Sequence, residues 1–405
     1  MKELVKIEKC DNLGNGIGFI NNKIVFVPKA VVGDTVEVVI KKENKNYQIG
    51  ELKKIVDPSK SREKVLCPYY FLCGGCDFLG YNYKDTNKFK LNLVNDYFRK
   101  SGINFEVREI ICGNSFNYRN KITLKVVNGI VGYFESKTHK ILEIKNCLLV
   151  NEKINDILKD INTLNISNGE VVIRVNYKSE YLISIVSKDK TNINYIINNY
   201  NVSGIVLNNE SIYKNNYFID KIGNYLFKVS YNSFFQVNPY ICSKLFDLIK
   251  ENTKFSKKVV DLYCGVGTLS LISSESSESV LGVEIVKNAI KDAKYNKKLN
   301  NINNVAFICE DSKNVIDKID ESVDTIILDP PRSGVDKKVI DRIIKCGINK
   351  VIYISCNPVT LVRDINYLKD YYDIKDAKLL DMFFMTKHVE CVSVLYRKSF
   401  KKLDF

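Results

Sequence analysis

Val351-Ile352-Tyr353-Ile354-Ser355-Cys356-Asn357-Pro358 is the stretch that decides how the chain is read. Four apolar or aromatic residues run into Ser-Cys, and Asn-Pro then stops the run. The pattern is that of a buried parallel strand with a thiol at its carboxyl end. In an open α/β sheet, ligands sit at the carboxyl ends of the strands. A free cysteine is also a small core residue, so the other strand ends decide whether Cys356 does chemistry.

Working outward, six further strand-like runs share this half of the chain, separated by helix-like stretches. Val259 to Cys264 leads into Gly265-Val266-Gly267-Thr268, and Val280 to Val283 ends at Glu284. Val305 to Ile308 leads to Asp311, and Thr325 to Leu328 to Asp329-Pro330-Pro331-Arg332. After the Cys356 strand come Ala377 to Met385 and Glu390 to Tyr396, joined by Thr386 to Val389 alone. That link is too short for a helical crossover, so these two form an antiparallel hairpin. Five parallel strands and a hairpin resemble the seven-stranded, Rossmann-like α/β plan of class I methyltransferases. On that plan Gly265, Glu284, Asp311, Asp329, Cys356 and Glu390 fall along one rim, the main sign of an active site.

With 405 residues, two or three domains are expected, and 45% hydrophobic residues bury ample core without disulfide staples. The start, Met1-Lys2-Glu3-Leu4-Val5-Lys6, lacks a signal peptide's apolar segment, and no apolar run approaches a membrane span. A cytoplasmic protein, monomeric and free of membranes, is expected, with its 12 cysteines reduced unless they bind metal. The net charge of +14 suits a polyanionic partner. An excess of Lys, Asn and Ile from a biased genome gives the same charge.

Residues 1–57 alternate short β-rich runs with turns, the spacing of a small barrel of oligonucleotide-binding type. This segment resembles a TRAM domain, an RNA-binding barrel; a protein-docking barrel reads the same way. After a polar linker, Cys67, Cys73 and Cys76 fall within ten residues, with Gly74 and Gly75 freeing the backbone. Three such cysteines wrap one metal centre, and Cys147 is the best candidate for the fourth thiolate. Zinc accepts four thiolates; the C-x5-C-x2-C spacing with a distant fourth cysteine resembles the 4Fe–4S site of bacterial RNA uracil-5-methyltransferases. Lys84 to Lys100 reads as a basic amphipathic helix. Tyr118-Arg119-Asn120-Lys121 then opens a β-rich region to about residue 228, with hairpin signals at Asn128-Gly129 and Gly223-Asn224. Tyr118, Arg119 and Lys121 suit stacking on bases and holding phosphates, or simply a solvated strand face. The expected division is 1–57 barrel, 58–228 central β-rich domain with the cysteine site, and 229–405 catalytic domain.

Asp261-Leu262-Tyr263-Cys264-Gly265-Val266-Gly267 is a glycine loop after a strand, where backbone can approach a ligand closely. Glu284, at the end of the next strand, suits both ribose hydroxyls of a nucleoside. NAD uses the same acidic position, so this pair alone does not choose a cofactor. Asp311 could bind adenine or cap a helix. The Asp-Pro-Pro-Arg turn resembles the Asp/Asn-Pro-Pro turn of nitrogen methyltransferases, which need no cysteine. Here a thiol lies on the next strand, and a thiol is what carbon 5 of uracil requires, since it is a poor nucleophile until something adds to carbon 6.

Phe234-Phe235-Gln236-Val237-Asn238, the Asp261 to Gly267 loop, Asp329 to Arg332, Ser355 to Pro358 and His388-Val389-Glu390 together resemble the RNA 5-methyluridine methyltransferase family, across essentially the whole chain. The resemblance implies S-adenosyl-L-methionine as donor, Cys356 as nucleophile and Glu390 as the base that removes the carbon 5 proton. It implies Gln236, Tyr263, Glu284 and Asp329 as donor-site residues, and Cys67, Cys73, Cys76 and Cys147 as ligands of a 4Fe–4S cluster. Within the family, the four cysteines point to enzymes of 23S ribosomal RNA. Transfer-RNA uracil methylation, or an iron–sulfur RNA-binding protein without catalysis, are the alternatives.

Overall fold

The computed structural model describes residues 2–113, 116–319 and 322–399. The outermost residues of the expected first and third domains, 1 and 400–405, lie outside the described residues.

The N-terminal strands Lys2–Lys6, Lys9–Cys10, Gly16–Ile20, Lys23–Val27, Thr35–Glu43 and Tyr47–Asp57 form one six-stranded sheet. It closes on a core of Val5, Ile7, Val25, Val27, Val36 and Val38. The Glu8 amide donates to the Ile17 carbonyl at 2.9 Å, so the first strand rolls back toward the third. Asp34 anchors the exit: it accepts from the Val31 and Ser59 amides and pairs with Arg62. A buried carboxylate needs such partners.

The central sheet has seven strands, in the order Ile141–Glu143, Ile130–Phe134, Lys121–Val127, Gly169–Val175, Tyr181–Ser187, Val202–Leu207, Glu210–Lys214. Both expected hairpin turns are present: Val127 pairs with Ile130 around Asn128-Gly129, and Ile222 with Tyr225 around Gly223-Asn224. The second hairpin does not belong to the central sheet. Phe218, Ile222, Tyr225, Phe227 and Val229 pack with helix Pro239–Thr253 in the C-terminal core. The expected boundary after residue 228 therefore falls inside strand Tyr225–Ser230.

The catalytic sheet runs Val305–Cys309, Ser277–Glu284, Ser256–Leu262, Thr325–Leu328, Lys350–Ser355, Glu390–Arg397, Tyr372–Leu380, Glu109–Ile111. Its first five strands are parallel, and Glu390–Arg397 lies antiparallel between its two neighbours. Two expectations are corrected here. The sheet has eight strands rather than seven, because Glu109–Ile111 adds parallel to Tyr372–Leu380. Helix Tyr83–Lys100 comes with it, burying Val94 and Phe98 in the core that covers one face of the sheet. The basic helix is thus a layer of the catalytic domain, and one of its lysines, Lys90, is 0% exposed. The strand expected to run to Met385 also ends early, at Leu380. Beyond it Asp381 turns inward to pair with Lys90, where a continuing strand would leave that lysine unpaired.

Helices Pro239–Thr253, Thr268–Ser273 and Lys287–Leu299 cover one face of the sheet; Lys337–Cys346 and Pro358–Leu368 join Tyr83–Lys100 on the other. Asn357 caps Pro358–Leu368 through the Val359 amide, with Pro358 at its first turn, which is why Asn-Pro follows the strand. No helix among the described residues is long and apolar enough to cross a membrane.

Candidate active site and cysteine cavity

The strand ends converge on one cleft of about 970 Å³. Gln236, Tyr263, Glu284, Asp311, Asp329, Cys356 and Glu390 all line it. Residues spread over 155 positions of sequence meet there because most end or follow a strand, while Glu390 opens the antiparallel strand beside Lys350–Ser355.

At the cleft the chain leaves strand Ser256–Leu262 through Tyr263, in the left-handed region at φ 76°, then Gly265 and Gly267. A Cβ at Gly267 would stand 2.6 Å from the Phe307 ring, so only glycine fits. Glu284 accepts from the Gly265 amide at 3.1 Å and the Val286 amide at 2.9 Å, which fixes its carboxylate at the strand end. Asp311 accepts from the Lys313 amide and caps a short helix, while also lining the cleft. Beneath the loop Asp261 is fully buried, accepting from the Ser270 hydroxyl at 2.6 Å. Burial pushes its carboxyl up to about 7.

The same cleft holds the groups of acid–base and nucleophilic character. The Asp-Pro-Pro-Arg turn is tied to the Cys356 turn: Asn357 donates to the Arg332 carbonyl at 2.9 Å, and Arg363 to the Ser333 carbonyl at 3.0 Å. Burial pushes the Cys356 thiol up; Glu390 and Asp329 add to this and Arg332 opposes it. Burial and the Asp329 charge push the Glu390 carboxyl well above the usual range, again against Arg332. Asp329 is raised to about 7 by the protein packed around it. The site is therefore a thiol facing two carboxyls that resist ionisation together, with one guanidinium as counterweight. Arg332 was quoted in the sequence motif without a role, and its position beside Cys356 and Glu390 supplies one. Phe234, from the Phe-Phe-Gln-Val-Asn motif, is 75% exposed and lines the cleft.

The two other cysteines near these motifs do not line the cleft. Cys391 follows Glu390, and alternation along the strand turns it to the opposite face, 1% exposed, its thiol pushed up to about 12 by burial. Cys264 is buried in the other core layer.

A second cavity, about 90 Å³, is lined by Cys67, Cys73, Cys76 and Cys147 together with Tyr69, Tyr70, Arg119 and Tyr133. The four predicted ligands thus converge, although three lie in one loop and the fourth some seventy residues on. Burial raises the Cys76, Cys67 and Cys147 thiols, and neighbouring thiols contribute. Among the described residues no group of three His, Cys, Asp or Glu is arranged to hold a single metal ion. Zinc and an iron–sulfur cluster both accept four thiolates. Lys29 donates to the Cys76 and Cys73 carbonyls, and no Asp or Glu lines the cavity. The donor set fits an anionic thiolate-bound cluster.

The Tyr118 to Lys121 motif divides. Tyr118 is core, Arg119 lies against the cysteine cavity, and Asn120 is buried, donating to the Gln236 and Val237 carbonyls. These three are not base-stacking groups. Lys121 is half-buried directly opposite Arg174 across the sheet, with no hydrogen bond or ion pair among the described residues. Burial and Arg174 pull its ammonium down to about 8.

The comparisons with known proteins agree with this geometry. The profile of the tRNA (uracil-5-)-methyltransferase family matches residues 176–398, and that of the TRAM domain residues 2–53. An uncharacterized RNA methyltransferase of Clostridium tetani is 35% identical over 94% of this chain and 93% of its own. One from Aquifex aeolicus is 32% identical over 96% and 97%. In solved structures, the Pyrococcus abyssi tRNA (uracil-54, C5)-methyltransferase, in complex with S-adenosyl-L-homocysteine, superposes with a TM-score of 0.80. It is 24% identical and covers 97% of this chain and 99% of that one, so the fold is shared throughout. The chain belongs to the RNA uracil-5-methyltransferase family and carries an N-terminal TRAM domain.

Proposed function

We propose that the protein methylates carbon 5 of a uridine in 23S ribosomal RNA, using S-adenosyl-L-methionine and a covalent Cys356–uracil adduct. The observation that carries this reading is the meeting of Cys356, Glu390 and Asp329 in one cleft with Glu284 and Gln236. Gln236, Tyr263, Glu284 and Asp329 would hold the donor, with the carboxylate of Glu284 suited to ribose hydroxyls. The donor supplies a methyl carbon made electrophilic by a positive sulfur.

The Cys356 thiolate adds to carbon 6 of the uracil, and the electron pair moves onto the carbon 4 oxygen. Carbon 5, now nucleophilic, forms the bond to the methyl as the methyl's bond to the donor sulfur breaks, the electron pair staying on sulfur, which leaves as a neutral thioether. Glu390 takes the proton from carbon 5, and the returning electron pair expels Cys356. Arg332 is placed to steady negative charge as it passes between thiol and carboxyl. Cys67, Cys73, Cys76 and Cys147 would hold a 4Fe–4S cluster, whose bonds cross-link the cysteine loop to the Cys147 turn. The four cysteines and the TRAM domain together support a ribosomal substrate; the enzyme is read as monomeric and cytoplasmic.

One observation favours a second reading. The Pyrococcus abyssi protein, alike in fold over 97% of this chain, is by name a transfer-RNA enzyme. The test is methyl transfer to transcribed 23S fragments and transfer RNAs, with 5-fluorouridine to trap the adduct. Methylation of the ribosomal fragment and a crosslink at Cys356 are expected. Methylation of transfer RNA alone overturns the substrate, a crosslink elsewhere overturns the mechanism, and no transfer to either RNA leaves the non-catalytic alternative.

A further inference from the structure

Residues 381–389 leave the sheet and return to it at Glu390, passing under the cleft with Phe383 at its wall. Four successive carbonyls of this segment are held from outside it. Asn238 donates to the Met382 carbonyl at 3.2 Å, Lys90 to Phe383 at 3.0 Å and Tyr118 to Phe384 at 3.4 Å. The Met385 carbonyl accepts from the amides of Asp77 and Phe78, at 2.9 and 3.0 Å. The Asp77 carboxylate then reaches across to accept from the Lys387 amide at 3.0 Å. Met385 itself sits in the left-handed region at φ 55°, which a non-glycine side chain keeps only where its surroundings dictate it. Buried Asp381 closes the other end, paired with Lys90 and accepting from the Tyr83 hydroxyl at 2.8 Å. The segment is therefore a strap laced to the N-terminal half, and its last lacing comes from the residue directly after Cys76.

We propose that Asp77 is a positioning residue for the catalytic base: the cysteine loop sets the strap, and the strap sets where the Glu390 carboxyl stands relative to Cys356. This rests on the reading of Glu390 as the base. Asp77 touches no substrate. It acts through the Lys387 and Met385 backbone, three and five residues before Glu390. Misplacing the base leaves thiol addition and methyl transfer intact and slows proton removal, so the methylated covalent complex should build up.

The experiment uses the full-length, cluster-loaded protein with its target RNA and S-adenosylmethionine. In Asp77→Ala, turnover should fall about 10- to 100-fold, the cost of a catalytic group displaced by roughly an ångström, with the KM for RNA little changed. A covalent protein–RNA band should appear on denaturing gels, and iron content should match wild type. Asp77→Asn keeps an oxygen for the Lys387 amide and should restore most of the turnover. Should Asp77→Ala lose iron, Lys90→Met/Asp381→Leu loosens the strap from its far end and should give the same band. Glu390→Gln is the reference. If it accumulates adduct while both strap variants lose turnover without adduct, or keep full turnover, the positioning role is wrong. If Glu390→Gln itself accumulates none, the reading of Glu390 fails instead.

Discussion

The two sites that use cysteine in this protein are built in opposite ways. Cys356 stands at a strand end in an open cleft of about 970 Å³, facing Glu390 and Asp329. Cys67, Cys73, Cys76 and Cys147 line a pocket of about 90 Å³, walled by tyrosines, with Lys29 and Arg119 for counter-charge. Burial opposes the thiolate in both. In the cleft, carboxyls oppose it further, so negative sulfur there is suited to a passing state that substrate must draw out. In the pocket, cations and the want of carboxyls suit sulfur that stays negative once bound. On the proposed reading, these opposite surroundings suit the same side chain to act as a nucleophile in one place and a ligand in the other.

The largest effects should fall on opposite properties. Cys356→Ala should reduce methyl transfer to background while leaving the thermal midpoint and iron content as in wild type. Cys76→Ser should bleach the anaerobically purified protein and cost stability on the scale of a lost metal site, more than about 4 kcal/mol. Stoichiometric zinc and no iron in the wild-type protein would break the comparison at its root. Next comes Glu390→Gln, expected to lower turnover about 10²–10⁴-fold.

A smaller effect tests the carboxyls. Glu390 and Asp329 are raised above their unfolded values, so the stability tied to their protons is full at low pH and is lost as pH rises through the folded values. Glu390→Gln should therefore be more stable than wild type above pH 7 and no more stable near pH 4, by thermal melts at both. Activity should run the other way and climb with pH, since both thiolate and carboxylate are resisted near neutrality. A flat profile between pH 6 and 9 would mean that the charges around Cys356 are not what limits it. Smallest is Lys121→Gln. If this unpaired ammonium holds an RNA phosphate, the slope of log affinity against log salt should drop by about 0.7, with saturated turnover unchanged.

The rim of the cleft was legible because its residues stand at or just beyond the ends of strands whose apolar runs announce themselves, Glu390 opening the last of them. The cysteine set was legible because three of its members share one loop. What escaped reading has its partner far off in sequence. Lys90 is one lysine among several in a polar helix, and only Asp381, 291 residues on, marks it as buried. Glu109–Ile111 is three residues long, too short to carry a period, and is a strand only because Tyr372–Leu380 offers an edge. Tyr118 and Arg119 looked like an RNA-facing pair because aromatic and cationic residues are equally what packs around a thiol pocket.

That short strand also bears on how the chain comes off the ribosome. Helix Tyr83–Lys100 and strand Glu109–Ile111 are synthesised long before the sheet edge they cover, Tyr372–Leu380. They wait without their main partner while some 260 residues are added, and the last hairpin meets a ready-made border when it emerges. An uncovered edge strand is a template for pairing with other chains. A C-terminal half cut at residue 112 would lack the strand that covers this edge and would expose it to such pairing.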